Sequence, residues 1–367
     1  MSPGIFNLIL SDERPFPELK DKSIYLAIKV SNKLDAENPV FSLIEVPTDL
    51  NGRFVILPKR GKHYIMYLDD LIRYNLDYVF FIFTFDHITA HTIKITRDAE
   101  MDIDYDISKS FLEKIQKGLK DRQLADPVRF IYDANIAPDV LERIKEGMGL
   151  SQYDSMISGG RYHNKKDLMS FPNVGGRELE HEQIDPLPHP DIDMDRSIIN
   201  VVAKKDVLLF LPYHSFSFII RFIREAAIDP TVLSIKISLY RVAKESRIIS
   251  ALINAAKNGK AVTVVVELQA RFDEENNIQW TNRLRAEGVK VIHGVEGLKV
   301  HSKICLITRK EGKKTKDYAI VGTGNFHEGT AKLYTDYQLL TSDKRITKEI
   351  AQVFEFFRAN YLQFNYE

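Results

Sequence analysis

The chain has 367 residues, 44% of them hydrophobic, with Lys plus Arg equal to Asp plus Glu at 51 each and a formal net charge of zero. That length allows two ordinary domains with full cores, and the charge balance excludes a global basic field, so nucleic acid is not an expected partner and a polyanion would need a locally basic channel. A single cysteine, Cys305, excludes an intrachain disulfide framework, no apolar run reaches the roughly 18–20 residues of a membrane span, and the start Met1-Ser2-Pro3-Gly4-Ile5-Phe6 lacks a cationic signal head; a cytoplasmic protein is expected, with any membrane contact peripheral.

In chain order, strand-like runs are expected at Phe54 to Leu57, Val79 to Phe85 and His91 to Ile95, mixed with helical patterns near Leu68 to Asn75 and Ile107 to Lys117. This α+β stretch carries no catalytic constellation, which makes it a scaffold or a dimerisation surface. His163-Asn164-Lys165 follows Gly159-Gly160-Arg161-Tyr162 in a polar stretch without strand alternation, so its H-x-K pattern is not read as a nucleophile. Three prolines between Asp185 and Asp193 mark an extended connector, because proline restricts itself and the residue before it. The domain boundary falls there, giving residues 1–185 and 186–367.

Beyond the connector, strands Val207 to Leu211, Val232 to Leu239 and Val262 to Leu268 alternate with helices Phe216 to Ala227, Arg247 to Asn258 and Glu274 to Ala286. That order argues for βαβ units and a mostly parallel sheet. Arg241 and Arg271 each follow the carboxyl end of an expected strand, the edge where open α/β sheets bind ligands, and are read as paired phosphate clamps.

The segment Gly297-Leu298-Lys299-Val300-His301-Ser302-Lys303-Ile304-Cys305-Leu306 reads as a further strand. Its pleat places His301 and Lys303 on one face and Leu298, Val300, Ile304 and Leu306 on the other, with Cys305 a small half-buried residue on the His301 face. A neutral imidazole, with an unperturbed pKa of about 6.5, can attack phosphorus near pH 7 while an ammonium roughly 7 Å along the same face holds the phosphoryl oxygens. A charged turn from Arg309 to Lys316 leads into a second apolar strand closing on Val321-Gly322-Thr323-Gly324-Asn325-Phe326, where small residues would let backbone N–H groups and the Asn325 amide approach an anion.

H-x-K followed by a strand ending G-T-G-N resembles one half of the phospholipase D-like catalytic unit. Leu239-Tyr240-Arg241, Ala270-Arg271-Phe272-Asp273-Glu274-Glu275-Asn276, the Gly297 to Lys303 segment, and Gly322 to Phe326 through Leu333-Tyr334-Thr335-Asp336-Tyr337 resemble the polyphosphate kinases. Upstream, Pro15-Phe16-Pro17-Glu18-Leu19-Lys20, Lys22 to Ala27 and Thr96-Arg97-Asp98-Ala99-Glu100 are similar to the head, or middle, domain of that family. The resemblance implies an α+β head domain followed by a phospholipase D-like α/β domain with a mixed, mostly parallel sheet. It also implies reversible transfer of the ATP γ-phosphoryl group to inorganic polyphosphate through a phosphohistidine at His301. Lys303, Asn325, Arg241 and Arg271 would stabilise the transferring group and Tyr334 would contact the nucleotide. Magnesium is the implied cofactor, near Arg241 and Arg271 only through phosphate oxygens or water, since guanidinium has no lone pair to offer a cation.

The implied partners are ATP and ADP, inorganic polyphosphate, and a second copy of the chain through the head domain. The family's chains are about twice this length and carry a second catalytic domain, so the resemblance implies a partial enzyme. Two alternatives remain open from sequence: a phospholipase D-like phosphodiesterase, and a non-catalytic polyphosphate-binding or assembly fragment.

Overall fold

The computed structural model describes residues 5–58, 61–97, 127–150, 154–182, 184–193, 195–268, 270, 274–295 and 298–366. The expected helix near Ile107 to Lys117 and the candidate Arg271 lie outside them. The chain divides into two compact units, one ending at Glu182 and the other built mainly of the chain that follows.

In the first unit, β1 (Asn7–Leu10), β2 (Ile24–Asn32), β3 (Asp35–Glu45), β6 (His87–Arg97), β7 (Pro127–Asp133) and β8 (Ser155–Gly159) form one sheet in the order β1-β3-β2-β6-β7-β8, with β4 (Phe54–Ile56) and β5 (Ile65–Tyr67) as a separate pair. Its helices are α1 (Thr48–Asn51), α2 (Leu68–Tyr74), α3 (Leu76–Val79) and α4 (Pro138–Met148). The run Ile24-Tyr25-Leu26-Ala27-Ile28 in β2 is continuously apolar because both faces of the sheet are covered. Ile24, Leu26 and Ile28 share a core with Leu68, Ile72, Leu76 and Phe80, while Tyr25 and Ala27 share another with Phe130, Val140 and Ile144.

The expected strands at Phe54 and His91 and the helix at Leu68 are present; the strand expected over Val79 to Phe85 is not. Leu76 and Phe80, four residues apart, share one face and are buried, whereas Phe81 and Ile82 are each 73% exposed. Burial along a helical stripe has overridden the β propensity of this aromatic run.

The second unit begins with α5 (Ile198–Val202), preceded by the proline-rich connector, which docks through the Leu187 N–H on the Tyr213 carbonyl at 2.7 Å. Seven strands follow: β9 (Val207–Leu211), β10 (Val232–Leu239), β11 (Ala261–Val266), β12 (Lys290–His293), β13 (Lys303–Glu311), β14 (Lys314–Gly322) and β15 (Asp336–Thr341). They lie in the order β12-β11-β10-β13-β14-β15-β9. β10–β11 and β11–β12 pair in parallel and the other neighbours antiparallel, so only β13 and β15 run against the rest. The sheet is therefore mixed, but four of its six neighbour pairs are antiparallel, so the parallel pairing that the βαβ pattern implied holds only for β10, β11 and β12, because β13, β14 and β15 follow one another without crossover helices.

Helices α6 (Ser217–Ile228) and α7 (Arg247–Lys257) bury apolar stripes, including Phe222, Ile223, Ile249 and Leu252, and α8 (Glu274–Ala286) precedes β12. The closing helix α9 (Lys344–Arg358) sets Ile350 and Phe354 against Val265, Ile304, Leu306 and Ala319. The strand directions bring the C-terminal ends of β10, β11 and β14 to one edge together with the N-terminal ends of β13 and β15.

Candidate active site

His301 stands at that edge, two residues before β13 begins, and so not on the strand where its sequence placed it. Side chains have taken the hydrogen bonds that would have prolonged the β10–β13 ladder. The Ser238 hydroxyl donates to the Ser302 carbonyl at 2.8 Å and accepts from the Ile304 N–H at 3.2 Å, while the Glu267 carboxyl accepts from the Val300 N–H at 2.7 Å. Val300, Ile304 and Leu306 face the core as expected, but Leu298 is exposed, its N–H donating to the Val295 carbonyl at 3.0 Å. Cys305 is fully buried rather than half-buried, and burial pushes its thiol pKa up.

Lys303 is only 6% exposed, and its Nζ lies 2.9 Å from His301 Nδ1 and donates to the His301 carbonyl. The two are in contact, closer than spacing along a pleat would place them. Tyr240 sits at the centre of the group. Its ring meets the His301 imidazole edge-on at 4.9 Å, with Lys303 Nζ 5.4 Å and the Arg241 guanidinium carbon 5.6 Å from its centroid. Arg241 follows the carboxyl end of β10, as predicted. α8 fixes this loop: Asn277 Nδ2 donates to the carbonyls of Tyr240 and Glu267, Asn276 Nδ2 to that of Val242, and Trp280 Nε1 to that of Ala243.

The electrostatics follow from these neighbours. Partial burial, then the positive charges of Lys303, Lys299 and Arg241, hold the His301 pKa below the ordinary imidazole value. Burial lowers that of Lys303 too, partly opposed by the Asp336 carboxylate. The imidazole is therefore neutral near pH 7 inside a positive field, the condition for attacking an anion. Among the described residues no group bonds His301 Nε2.

Asn325 follows β14, whose last residue Gly322 pairs with Lys303; its Oδ1 is buried without a hydrogen-bond partner among the described residues. The glycines before it also serve the neighbouring strand. A Cβ on Gly322 would fall 2.1 Å from Gln338 Oε1 and one on Gly324 2.4 Å from Asp336 Oδ2, so they make room for β15 side chains, and the Thr323 N–H is spent on the Tyr337 carbonyl. Tyr334 is 63% exposed just before β15. His163 is buried in the first unit with Nε2 2.9 Å from the Gly160 carbonyl, a structural role as its context implied.

Sequence reasoning missed Ser238, Tyr240, Glu267, Asn277 and Lys299 as parts of the site. Tyr240 adjoins Arg241 and Lys299 lies two residues before His301, which was the available signal; Glu267 and Asn277 act on backbone far away in sequence and carried none. Among the described residues no group of three or more His, Cys, Asp or Glu side chains could hold a metal ion, and no helix is long and apolar enough to cross a membrane.

Two family models match the chain. The model described as polyphosphate kinase middle domain matches residues 1–171, and that described as polyphosphate kinase C-terminal domain 1 matches residues 197–363. The chain belongs to the polyphosphate kinase family. It is 46% identical over 350 residues to polyphosphate kinases of Salmonella typhimurium and Escherichia coli K12, covering 94% of this chain and 50% of each relative. With polyphosphate kinase of Vibrio parahaemolyticus it shares 44% identity over 371 residues, covering 99% of this chain and 53% of the relative. The crystal structure of polyphosphate kinase from Porphyromonas gingivalis superposes with a TM-score of 0.78 at 31% identity, covering 100% of this chain and 53% of that one. The chain thus spans about half the length of the polyphosphate kinases it matches.

Proposed function

We propose that the chain carries the phosphoryl-accepting half-site of an enzyme that moves the ATP γ-phosphoryl group reversibly to inorganic polyphosphate by way of His301. The observation that carries this reading is an exposed imidazole whose Nδ1 is engaged by a buried lysine, whose Nε2 is open, and which sits among Lys299, Lys303 and Arg241.

An ammonium has no lone pair, so while Lys303 donates to Nδ1 the neutral ring keeps its proton on Nε2. An incoming phosphate draws Lys303 away to its oxygens, and the ring proton moves to Nδ1. The Nε2 lone pair then attacks the γ-phosphorus; an N–P bond forms, the P–O bond to the β-phosphate breaks, and ADP leaves with the electron pair. A terminal phosphate oxygen of polyphosphate attacks the same phosphorus in the second step and the N–P bond breaks. Arg241 and Arg271 clamp oxygens in pairs, the Asn325 amide turns to the same group, and Tyr334 holds the nucleotide.

Magnesium fits this site only as an ion carried on nucleotide phosphates, because guanidinium, ammonium and amide groups dominate and none of the cations can ligate it; when bound, it neutralises phosphate charge. Full turnover is assigned to an assembly that also supplies the second catalytic domain of the family. Homo-oligomerisation through the middle domain has an apolar surface available in Tyr74, Tyr78, Phe81 and Ile82. The buried lone thiol of Cys305 suits the cytoplasm.

The test is incorporation of label from ATP carrying radioactive γ-phosphate. The wild-type protein should give an acid-labile, alkali-stable phosphoprotein and His301→Gln none, with His163→Gln as the labelled control. Phosphoprotein persisting in His301→Gln would sink the assignment, and absence of label with phosphodiester cleavage would favour the phosphodiesterase.

A further inference from the structure

Away from His301, α6 carries Ser217, Arg221, Arg224 and Ile228 along one stripe, the residues that a helix sets above one another. With Arg247 at the start of α7 and Arg196 before α5, they line an open cleft of about 640 Å³. A second cleft of about 490 Å³ shares Arg196 and adds Lys204 and Lys205. Six cations thus lie along one face of a unit whose whole chain is neutral. Local charge of that kind is the field a polyanion would follow.

Two carboxylates, Asp195 and Glu225, share the lining of the larger cleft with these cations. Glu225 is turned into the start of α5, accepting from the Ser197 hydroxyl and from the N–H groups of Ile198 and Ile199. Arg196 leans on Asp193 at 3.4 Å and Lys205 on Asp191. The Arg221, Arg224 and Arg247 side chains form no ion pair among the described residues. The arrangement is also directional. α6 has 12 residues and so runs ~18 Å. It leads from the β9 end of the catalytic edge towards Arg196, Lys204 and Lys205 at the opposite end. At its upper end the Arg247 N–H donates to Glu328 at 2.7 Å, three residues beyond Asn325.

We propose that this cleft is a second binding track, which takes the body of a linear inorganic polyphosphate chain while the chain end is at the His301 site. The proposal rests on the polyphosphate reading given above. A row of separated guanidiniums suits repeating phosphates better than one compact anion, since each fork can grip successive oxygens. Among the described residues its lining offers no aromatic ring for a base to stack on, which separates it from a single-stranded nucleic-acid groove.

The experiment measures binding of long-chain polyphosphate and of tripolyphosphate to the wild-type protein and to the triple variant Arg221→Gln, Arg224→Gln, Arg247→Gln. Wild type should prefer the long chain, and the variant should lose about tenfold of that affinity, the scale of three exposed ion contacts acting together. Tripolyphosphate binding should be unchanged, the salt dependence should flatten, and the triple lysine variant should retain most long-chain affinity. Wild-type long-chain binding by the glutamine variant would overturn the track. So would equally tight binding of single-stranded DNA that the same variant abolishes. His301→Gln should keep the long-chain preference, so a failure of phosphohistidine formation leaves the track standing, and a failure of the track leaves the labelling result untouched.

Discussion

Glu267 offers the sharpest test of how the nucleophile is held. Its side chain is 2% exposed, and its Oε2 accepts the Val300 N–H at 2.7 Å, one residue before His301, which is itself outside the ladder and has no strand partner to fix it. Glu267→Ala removes that acceptor. An orphaned buried N–H costs about 1–3 kcal/mol, and loss of the packed side chain adds about 1 kcal/mol, for a destabilisation of about 2–4 kcal/mol. At about 2–4 °C per kcal/mol for a unit of this size, Tm should fall by about 4–16 °C. The catalytic consequence should be larger than the stability loss suggests, because a displacement of ~1 Å at a reacting group costs about a hundredfold. Glu267→Gln keeps an acceptor in the same place and should recover most of both. The assay is the single-turnover rate of label incorporation from γ-labelled ATP, read well below the Tm of each variant. A Glu267→Ala protein that is destabilised yet phosphorylated at the wild-type rate would refute the strap, since the glutamate would then serve the core alone.

Two further outcomes follow from the structure. Burial, with Arg285 beside it, pulls the His293 pKa down to about 4, so the folded state resists the proton that the unfolded chain accepts near 6.5. Stability from this group is complete above about 6.5 and is lost as pH falls towards about 4, by about 2 kcal/mol allowing for its partial exposure; urea titrations at neutral and acid pH should show a shallower loss in His293→Gln, and identical slopes would refute it. Gly322→Ala and Gly324→Ala should each cost about 1–3 kcal/mol, because the new methyl meets Gln338 or Asp336 well inside van der Waals contact, and the denaturant midpoint of either variant should fall; an unchanged midpoint would mean that β15 yields freely.

What sequence made legible here was what is local or periodic. The alternation of β9, α6, β10, α7 and β11 showed through because each element carries its own apolar pattern, and the H-x-K segment showed through because two chemical groups lie two residues apart. The strand start at Lys303 was not legible, since Ser238 and Glu267 stop the ladder from residues 66 and 33 positions away. For the same reason the room that the glycines of the G-T-G-N turn make for Gln338 and Asp336 was not legible either. The aromatic run after Val79 misled because β propensity was read without the helix that precedes it. Arg271 lies outside the described residues, so its pairing with Arg241 keeps the standing it had from sequence.

The reversed strand β13 has a consequence for the order in which the molecule acquires its chemistry. Arg241 and the floor of the site are made early in synthesis, but the hydrogen bond from the Ile304 N–H to Ser238 closes a loop of 66 residues and that from the Val300 N–H to Glu267 one of 33. Loops of that length close late, after the local helices have formed. A growing chain would therefore hold a phosphate-attracting surface without a nucleophile until β13 slots between β10 and β14, and competence would arrive in one step with the completion of the sheet.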